Sequence, residues 1–167
     1  GQVGNSQYGF TSTYDDFGNI YGAGESFGAG FPTSTGAYSA AFSGGVDMAV
    51  TKFSPDATTV LYATYIGGSS TDNPHSMIVD PLTEELVIMG STGSSNFPTT
   101  TGAYSETAFG GTDIVVTRLS SDGTALIGST YIGGSGTDGV NSSSILTPNY
   151  GDQNRGEVNL DDAGNIF

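Results

Sequence analysis

Cysteine is absent from this chain of 167 residues, histidine occurs once, and basic residues number three. Without cysteine there can be no disulfide, no thiolate zinc site and no cysteine nucleophile. A single histidine, His75, excludes a histidine-rich metal centre. Seventeen acidic residues stand against the three basic ones, a formal net charge of −14. Phosphate binding needs clustered Lys and Arg, so nucleic acid is excluded as a partner and an anionic membrane surface is disfavoured. Long hydrophobic runs are missing too. No segment approaches the apolar length of a membrane span, so no membrane insertion is expected, and none has the spacing of a long amphipathic helix.

What remains is glycine-rich and aromatic: 27 Gly, 9 Phe and 9 Tyr, with 35% hydrophobic residues overall. Many glycines between short apolar runs point to an all-β chain rich in turns. The chain starts at Gly1 and stops at "DDAGNIF", within what reads as a strand, so it is expected to be a piece of a larger protein.

The dominant feature is a repeat. "FPTSTGAYS" at Phe31 returns as "FPTTTGAYS" at Phe97. "GGVDMAVTKFSPDAT" at Gly44 returns as "GGTDIVVTRLSSDGT" at Gly110, and "TYIGGSSTD" at Thr64 as "TYIGGSGTD" at Thr130, all 66 positions apart. "DDFGNIYGAG" at Asp15 is echoed by "DPLTEELVIMG" at Asp80, and "LDDAGNIF" at Leu160 opens a third copy. Asp80 to Asp161 is 15 residues longer than the period. The chain therefore divides into a first repeat (1–72), a second (73–138), an insertion (139–158) and the start of a third (159–167). One register held over three segments outranks any single-residue reading.

Each repeat reads as four short strands, in the first copy near 8–14, 19–24, 46–53 and 60–66. The last two form a hairpin. Its turn holds Asp122-Gly123 in the second copy, a strong hairpin signal, and the weaker Asp56-Ala57 in the first. Phe31, Tyr38 and Phe42, in the long connection before the third strand, are expected to fold back as an apolar plug. In "VDMAVTKF", Val46, Met48 and Val50 oppose Ala49 and Phe53; in "TDIVVTRL", Ile114 and Val116 oppose Val115 and Leu119. Apolar residues on both faces mean a strand covered on both sides. Four-stranded units stacked face to face make a β-propeller, so the expected fold is all-β: about two antiparallel blades and the start of a third, within a larger propeller.

"GNIYGAGES…FPTSTGAYS…GGVDMAVTKFSPDATTVLYATYIGG" resembles the SBBP repeat, a bacterial β-propeller repeat, and the resemblance covers nearly the whole chain. It implies propeller blades within large secreted or cell-surface proteins of bacteria, often of Bacteroidota, that commonly carry adhesion modules. It implies no catalytic residues. Two departures stand out: Pro81-Leu82-Thr83-Glu84-Glu85 replaces the usual Asp-x-x-Gly-Asn turn, and the insertion after Asp138 is atypical. Two blades do not close a ring, so the expected partners are the remaining blades of the same or a neighbouring chain, with cell-surface proteins or glycans beyond them.

Candidate chemistry is sparse. Asp47/Asp113, Asp56/Asp122 and Asp72/Asp138 recur with the period. They read as acceptors for turn and strand-end amides, not as an acid–base pair, which needs two acids in different environments. "DDFGN" and "DDAGN" supply the candidate cation ligands: Asp15, Asp16 and Asn19, and Asp161, Asp162 and Asn165. Oxygens from Asp and Asn in a Gly-containing loop suit calcium, the one cofactor considered, although the spacing is not that of a full calcium loop and an Asx turn explains the same letters. His75 reads as a loop or strand-entry residue, with no nucleophile elbow to make a Ser-His-Asp arrangement. Tyr38/Tyr104 and Tyr65/Tyr131 recur and read as packing. The insertion alone has individual character: Asn149, Tyr150, Asp152, Asn154 and Arg155 form a polar-aromatic cluster suited to a sugar ligand.

The functional expectation is a non-catalytic segment of a secreted or surface-anchored bacterial propeller, serving as scaffold, spacer or adhesion module. The alternatives are a carbohydrate-binding module using the insertion and a fragment of a propeller glycosidase.

Overall fold

The computed structural model describes residues 7–140 and 156–167. Two four-stranded antiparallel sheets are built in chain order. The first holds β1 (Gln7–Tyr14), β2 (Ile20–Ser26), β3 (Asp47–Phe53) and β4 (Val60–Ile66); the second holds β5 (Asp72–Val79), β6 (Leu86–Thr92), β7 (Asp113–Leu119) and β8 (Leu126–Ile132). No helix occurs among the described residues. The first-sheet strands lie within one or two residues of the segments read from the sequence.

Strand registers assign every side chain to a face. Tyr21 pairs with Lys52, Ala23 with Val50 and Glu25 with Met48, while Lys52, Val50 and Met48 pair onward with Tyr62, Thr64 and Ile66. These residues share one face, here called the forward face of the first sheet. On the second sheet, Leu86 pairs with Leu119, Gly90 with Val115 and Val115 with Tyr131, which together with Ile88 define its rear face. The two faces pack on each other. Tyr21, Met48, Val50, Tyr62 and Ile66 form a single buried cluster with Leu86, Ile88, Val115, Leu119 and Tyr131. Each such aliphatic side chain contributes on the order of 2 kcal/mol when fully removed from water. Close approach is required at Gly90, where a Cβ would lie 2.2 Å from the Asn73 carbonyl oxygen and 2.7 Å from Met48 Cε.

The start of the third copy sits on the forward face of the second sheet. Val158, the last residue of the insertion, donates its N–H to Ser76 Oγ (3.2 Å), and Ile166 lines a hollow of about 230 Å³ with Val116 and Arg118. Ile166 holds the place in its copy that Ile20 and Leu86 hold in theirs, so third-copy residues meet the second sheet as the second meets the first.

The long connection packs as a plug on the rear of the first sheet. Phe31 and Phe42 meet the Tyr65 ring edge-on, with centroids 5.4 and 5.9 Å away, and Tyr38 packs against the core. Two expectations need correction. Tyr104, the repeat partner of Tyr38, is 82% exposed and meets only the Phe109 ring, 6.5 Å away, instead of packing in the core or between sheets. Tyr38 donates its N–H to the Gly123 carbonyl of the next sheet (2.8 Å), and Tyr104 has no further hairpin among the described residues to meet. His75 is neither in a loop nor at a strand entry: it lies inside β5 and is buried. A bulge between Pro74 and Ser76 on this edge strand accommodates the proline.

Candidate functional site

The β1–β2 turn and its equivalents lie at one end of the sheets, where the candidate cation ligands fall. Asp15 Oδ1 accepts the N–H of Phe17 (3.1 Å) and Asn19 (2.8 Å), while Oδ2 accepts from Asn19 Nδ2 (2.8 Å) and Tyr21 Oη (3.0 Å). Lys52 Nζ stands 3.5 Å from the same oxygen. Burial raises the Asp15 pKa, but the Asn19 and Tyr21 hydrogen bonds and the Lys52 charge outweigh it and hold it below the ordinary value. Asp161 repeats the pattern, accepting from Ala163 N (2.9 Å), Asn165 N (2.8 Å) and Asn165 Nδ2 (2.7 Å). In both copies the Asp and the Asn are thus tied to one another in an Asx turn. Asp16, Asp161 and Asp162 are brought together around a cleft of about 530 Å³ that Asp80 also lines. Asp80 is engaged there by Arg118, which also pairs with Glu85. Among the described residues, no three acidic or histidine side chains approach closely enough to share a metal ion. The sugar-ligand candidates Asn149, Tyr150, Asp152, Asn154 and Arg155 lie outside the described residues.

The opposite end is where chains cross from one sheet to the next. The periodic acids take the structural places expected of them. Asp47 and Asp113 accept from the N–H of Ser43 (2.7 Å) and Phe109 (2.9 Å), and Asp72 and Asp138 from those of Gly68 (2.7 Å) and Gly134 (2.8 Å). Asp56 and Asp122 close the β3–β4 and β7–β8 turns through Ser54 and Ser120 (both 2.6 Å).

Sequence reading missed a cavity of about 500 Å³ at this end, lined by Glu25, Asn73 and Ser91 among others. Glu25 is buried, and desolvation pushes its carboxyl pKa up to about 7. The signal was available. Glu25 continues the inward alternation Tyr21, Ala23, and the second repeat has Ser91 in its place. His75 Nε2 lies 2.9 Å from Ser91 Oγ, and desolvation lowers the His75 pKa to about 4. His75 Nδ1 has no hydrogen-bond partner among the described residues, so none of them supplies the orienting carboxylate of a Ser-His-Asp triad. Ser91 is buried as well.

No protein-family model matches this chain, and no curated protein matches it either. The described residues contain no helix long and apolar enough to cross a membrane.

Proposed function

We propose that the two sheets are consecutive blades of a β-propeller, and that the segment serves as a non-catalytic scaffold or interaction module of a large secreted or surface-anchored bacterial protein. One observation carries this reading. The forward face of each sheet receives the rear side of the next copy, first through β6–β8 and again through Ile166. A unit that leaves one face uncovered at each step needs a neighbour at every step, the logic of a propeller or another stacked array. The catalytic side of the reading rests on what the acids do. Asp15, Asp161, Asp56 and Asp122 tie turns, and the His75–Ser91 pair has no orienting acid among the described residues.

Incubation of the protein with a panel of polysaccharides tests it. No release of sugar is expected; turnover would overturn the non-catalytic reading. Binding on a glycan array that disappears with Tyr150→Ala would instead make this a carbohydrate-binding module built on the insertion.

A further inference from the structure

The crossing between the sheets encloses two acids side by side. Val46 and Thr71 form a parallel bridge, with Val46 N–H donated to the Ser70 carbonyl (2.9 Å) and Asp72 N–H to the Val46 carbonyl (2.7 Å). The next residues on the two strands are Asp47 and Asp72, and neither has any exposed surface. Their carboxylates converge over Gly67: a Cβ there would lie 2.6 Å from Asp47 Oδ1 and 2.9 Å from Asp72 Oδ2. The second repeat builds the same arrangement, with Asp113 Oδ1 and Asp138 Oδ2 2.2 and 3.1 Å from the corresponding point on Gly133.

The two acids of the first junction are unequally solvated by the protein. Asp72 has donors on both oxygens: Thr92 Oγ1 on Oδ1, and Gly68 N (2.7 Å) and Ser94 Oγ (2.9 Å) on Oδ2. Asp47 accepts from Ser43 N on Oδ2, and the Gly44 backbone N–H also favours its charged form, but its buried Oδ1 has no hydrogen-bond partner among the described residues. A carboxylate oxygen left bare in the interior is costly, and a second carboxylate beside it makes it more so. The basic side chains described, Lys52 and Arg118, are both engaged with Asp15, Asp80 and Glu85. No third acidic or histidine side chain joins the two carboxylates among the described residues to make up the charge a hard cation favours. A proton on Asp47 Oδ1 resolves the conflict, because it removes the charge from the oxygen that lacks a donor and leaves one carboxylate charge, not two, over Gly67.

We propose that Asp47 and Asp72 share one proton, and that this proton locks the crossing 67–71 onto both sheets. Its loss to solvent leaves two like charges side by side in a dry site. Asp72 is also the anchor for Thr92 and Ser94, so the repulsion acts directly on the joint with the second sheet.

The pH dependence has a definite sign. Burial, with Asp72 as neighbour, raises the Asp47 pKa to about 6. A raised folded-state value means stability that is fully present below the ordinary value of 3.8 and is lost as pH rises through about 6. Other titrating groups surround the pair. Tyr131 on β8 is raised by burial and by Asp72 and Asp113, and Glu25 and His75 lie at the same end. Glu25 titrates in an overlapping window, so bulk stability alone does not isolate Asp47.

Carboxyl-carbon NMR titration of aspartate-labelled protein isolates it. The Asp47 resonance should titrate with a midpoint near 6, whereas a midpoint at or below 3.8 overturns the proposal. Asp47→Asn keeps this position uncharged at every pH. Its melting temperature should match or exceed that of the unsubstituted protein at about pH 8, with a smaller fall between about pH 4 and 8, whereas Asp47→Ala should be destabilised throughout. Equal losses for Asn and Ala at both pH values would overturn the shared proton. A calcium-dependent rise in melting temperature that Asp47→Asn removes would overturn it too, by assigning the pair to a cation.

Discussion

The first and second repeats solve one problem in two ways at the β1–β2 turn and its β5–β6 counterpart. In the first, Asp15 is tied down by neutral Asn19, Gly18 takes the left-handed conformation at φ 81°, and Lys52 sits beside the carboxylate and 4.9 Å over the Tyr21 ring. In the second, Glu85 stands where Asn19 does, Glu84 is forced to φ 59°, and Tyr21 is replaced by Val87. A second carboxylate and a lost aromatic face demand a different cation. Lys52 becomes Arg118, whose planar fork engages Asp80 and Glu85 at once. Two of the three basic residues of the chain thus occupy one repeat position, and the substitutions around them make sense only as a set.

The largest expected effect lies where the faces of the two sheets differ. The rear face of the second sheet is covered, so Gly90→Ala drives a methyl into the Asn73 carbonyl and Met48. Denaturant melts should show a loss of about 2–3 kcal/mol, as overpacking does in closed cores. Gly22 lies on the rear face of the first sheet with nothing within 4 Å of its would-be Cβ, and Gly22→Ala should change stability by less than about 0.5 kcal/mol. Similar losses for both would break the placing of Gly90 in the sheet-to-sheet contact and of Gly22 on an open part of the first sheet's rear face.

Next comes the cation swap. Arg118→Ala leaves Asp80 and Glu85 without their partner and should cost about 2 kcal/mol in the same assay, and Arg118→Lys roughly half of that, because an ammonium does not fork. Adding Glu85→Asn to Arg118→Lys should recover stability by reproducing the first-repeat pair. A double variant no better than Arg118→Lys alone would refute the coupling. Acid melts follow the same logic. Burial raises the Asp80 pKa, but hydrogen bonding from Leu82 and the Arg118 charge leave it depressed. The stability Asp80 supplies is present above the ordinary carboxylate range and disappears as pH falls through its folded value.

At the cavity, both Glu25 and its counterpart Ser91 are lining residues. A Glu25 pKa raised from 4.5 to about 7 means stability lost as pH climbs through that interval. Glu25→Ser should therefore raise the melting temperature at about pH 8 relative to its effect at about pH 4, where both forms are uncharged. An equal effect at both pH values would separate Glu25 from the alkaline loss.

The smallest expected effect lies in the β3–β4 turns. Ala57 holds φ 56° where its counterpart Gly123 holds φ 74°. Ala57→Gly should stabilise by about 0.5–1 kcal/mol, since a side chain is strained in that region. Gly123→Ala should do the reverse and more, because its Cβ would also fall 2.5 Å from the Tyr62 ring.

Much of this was legible beforehand. Strand positions, the β3–β4 hairpin and the opposing faces of Met48 and Ala49 followed from alternation, which depends only on the two-residue period of a strand. The Asx turns followed from Asp and Asn flanking a glycine. Tyr104 was misjudged because repeat position predicts packing only where the neighbouring copy is present to pack against. His75 was misplaced because Pro74 reads as a loop until a bulge on an edge strand makes room for it. Glu25 escaped notice because a lone acid among glycines looks solvent-exposed until two sheets close over it.

By itself the sequence determined the repeat, its four-stranded unit and the faces of each strand, because turn chemistry and alternation are local. Only the tertiary structure decided which face meets which sheet, that Lys52 and Arg118 are each committed to a turn, and that Asp47 and Asp72 stand together over Gly67. Those outcomes depend on the distance between residues far apart in the chain. Desolvation and like-charge proximity act on that distance, and no local pattern records it.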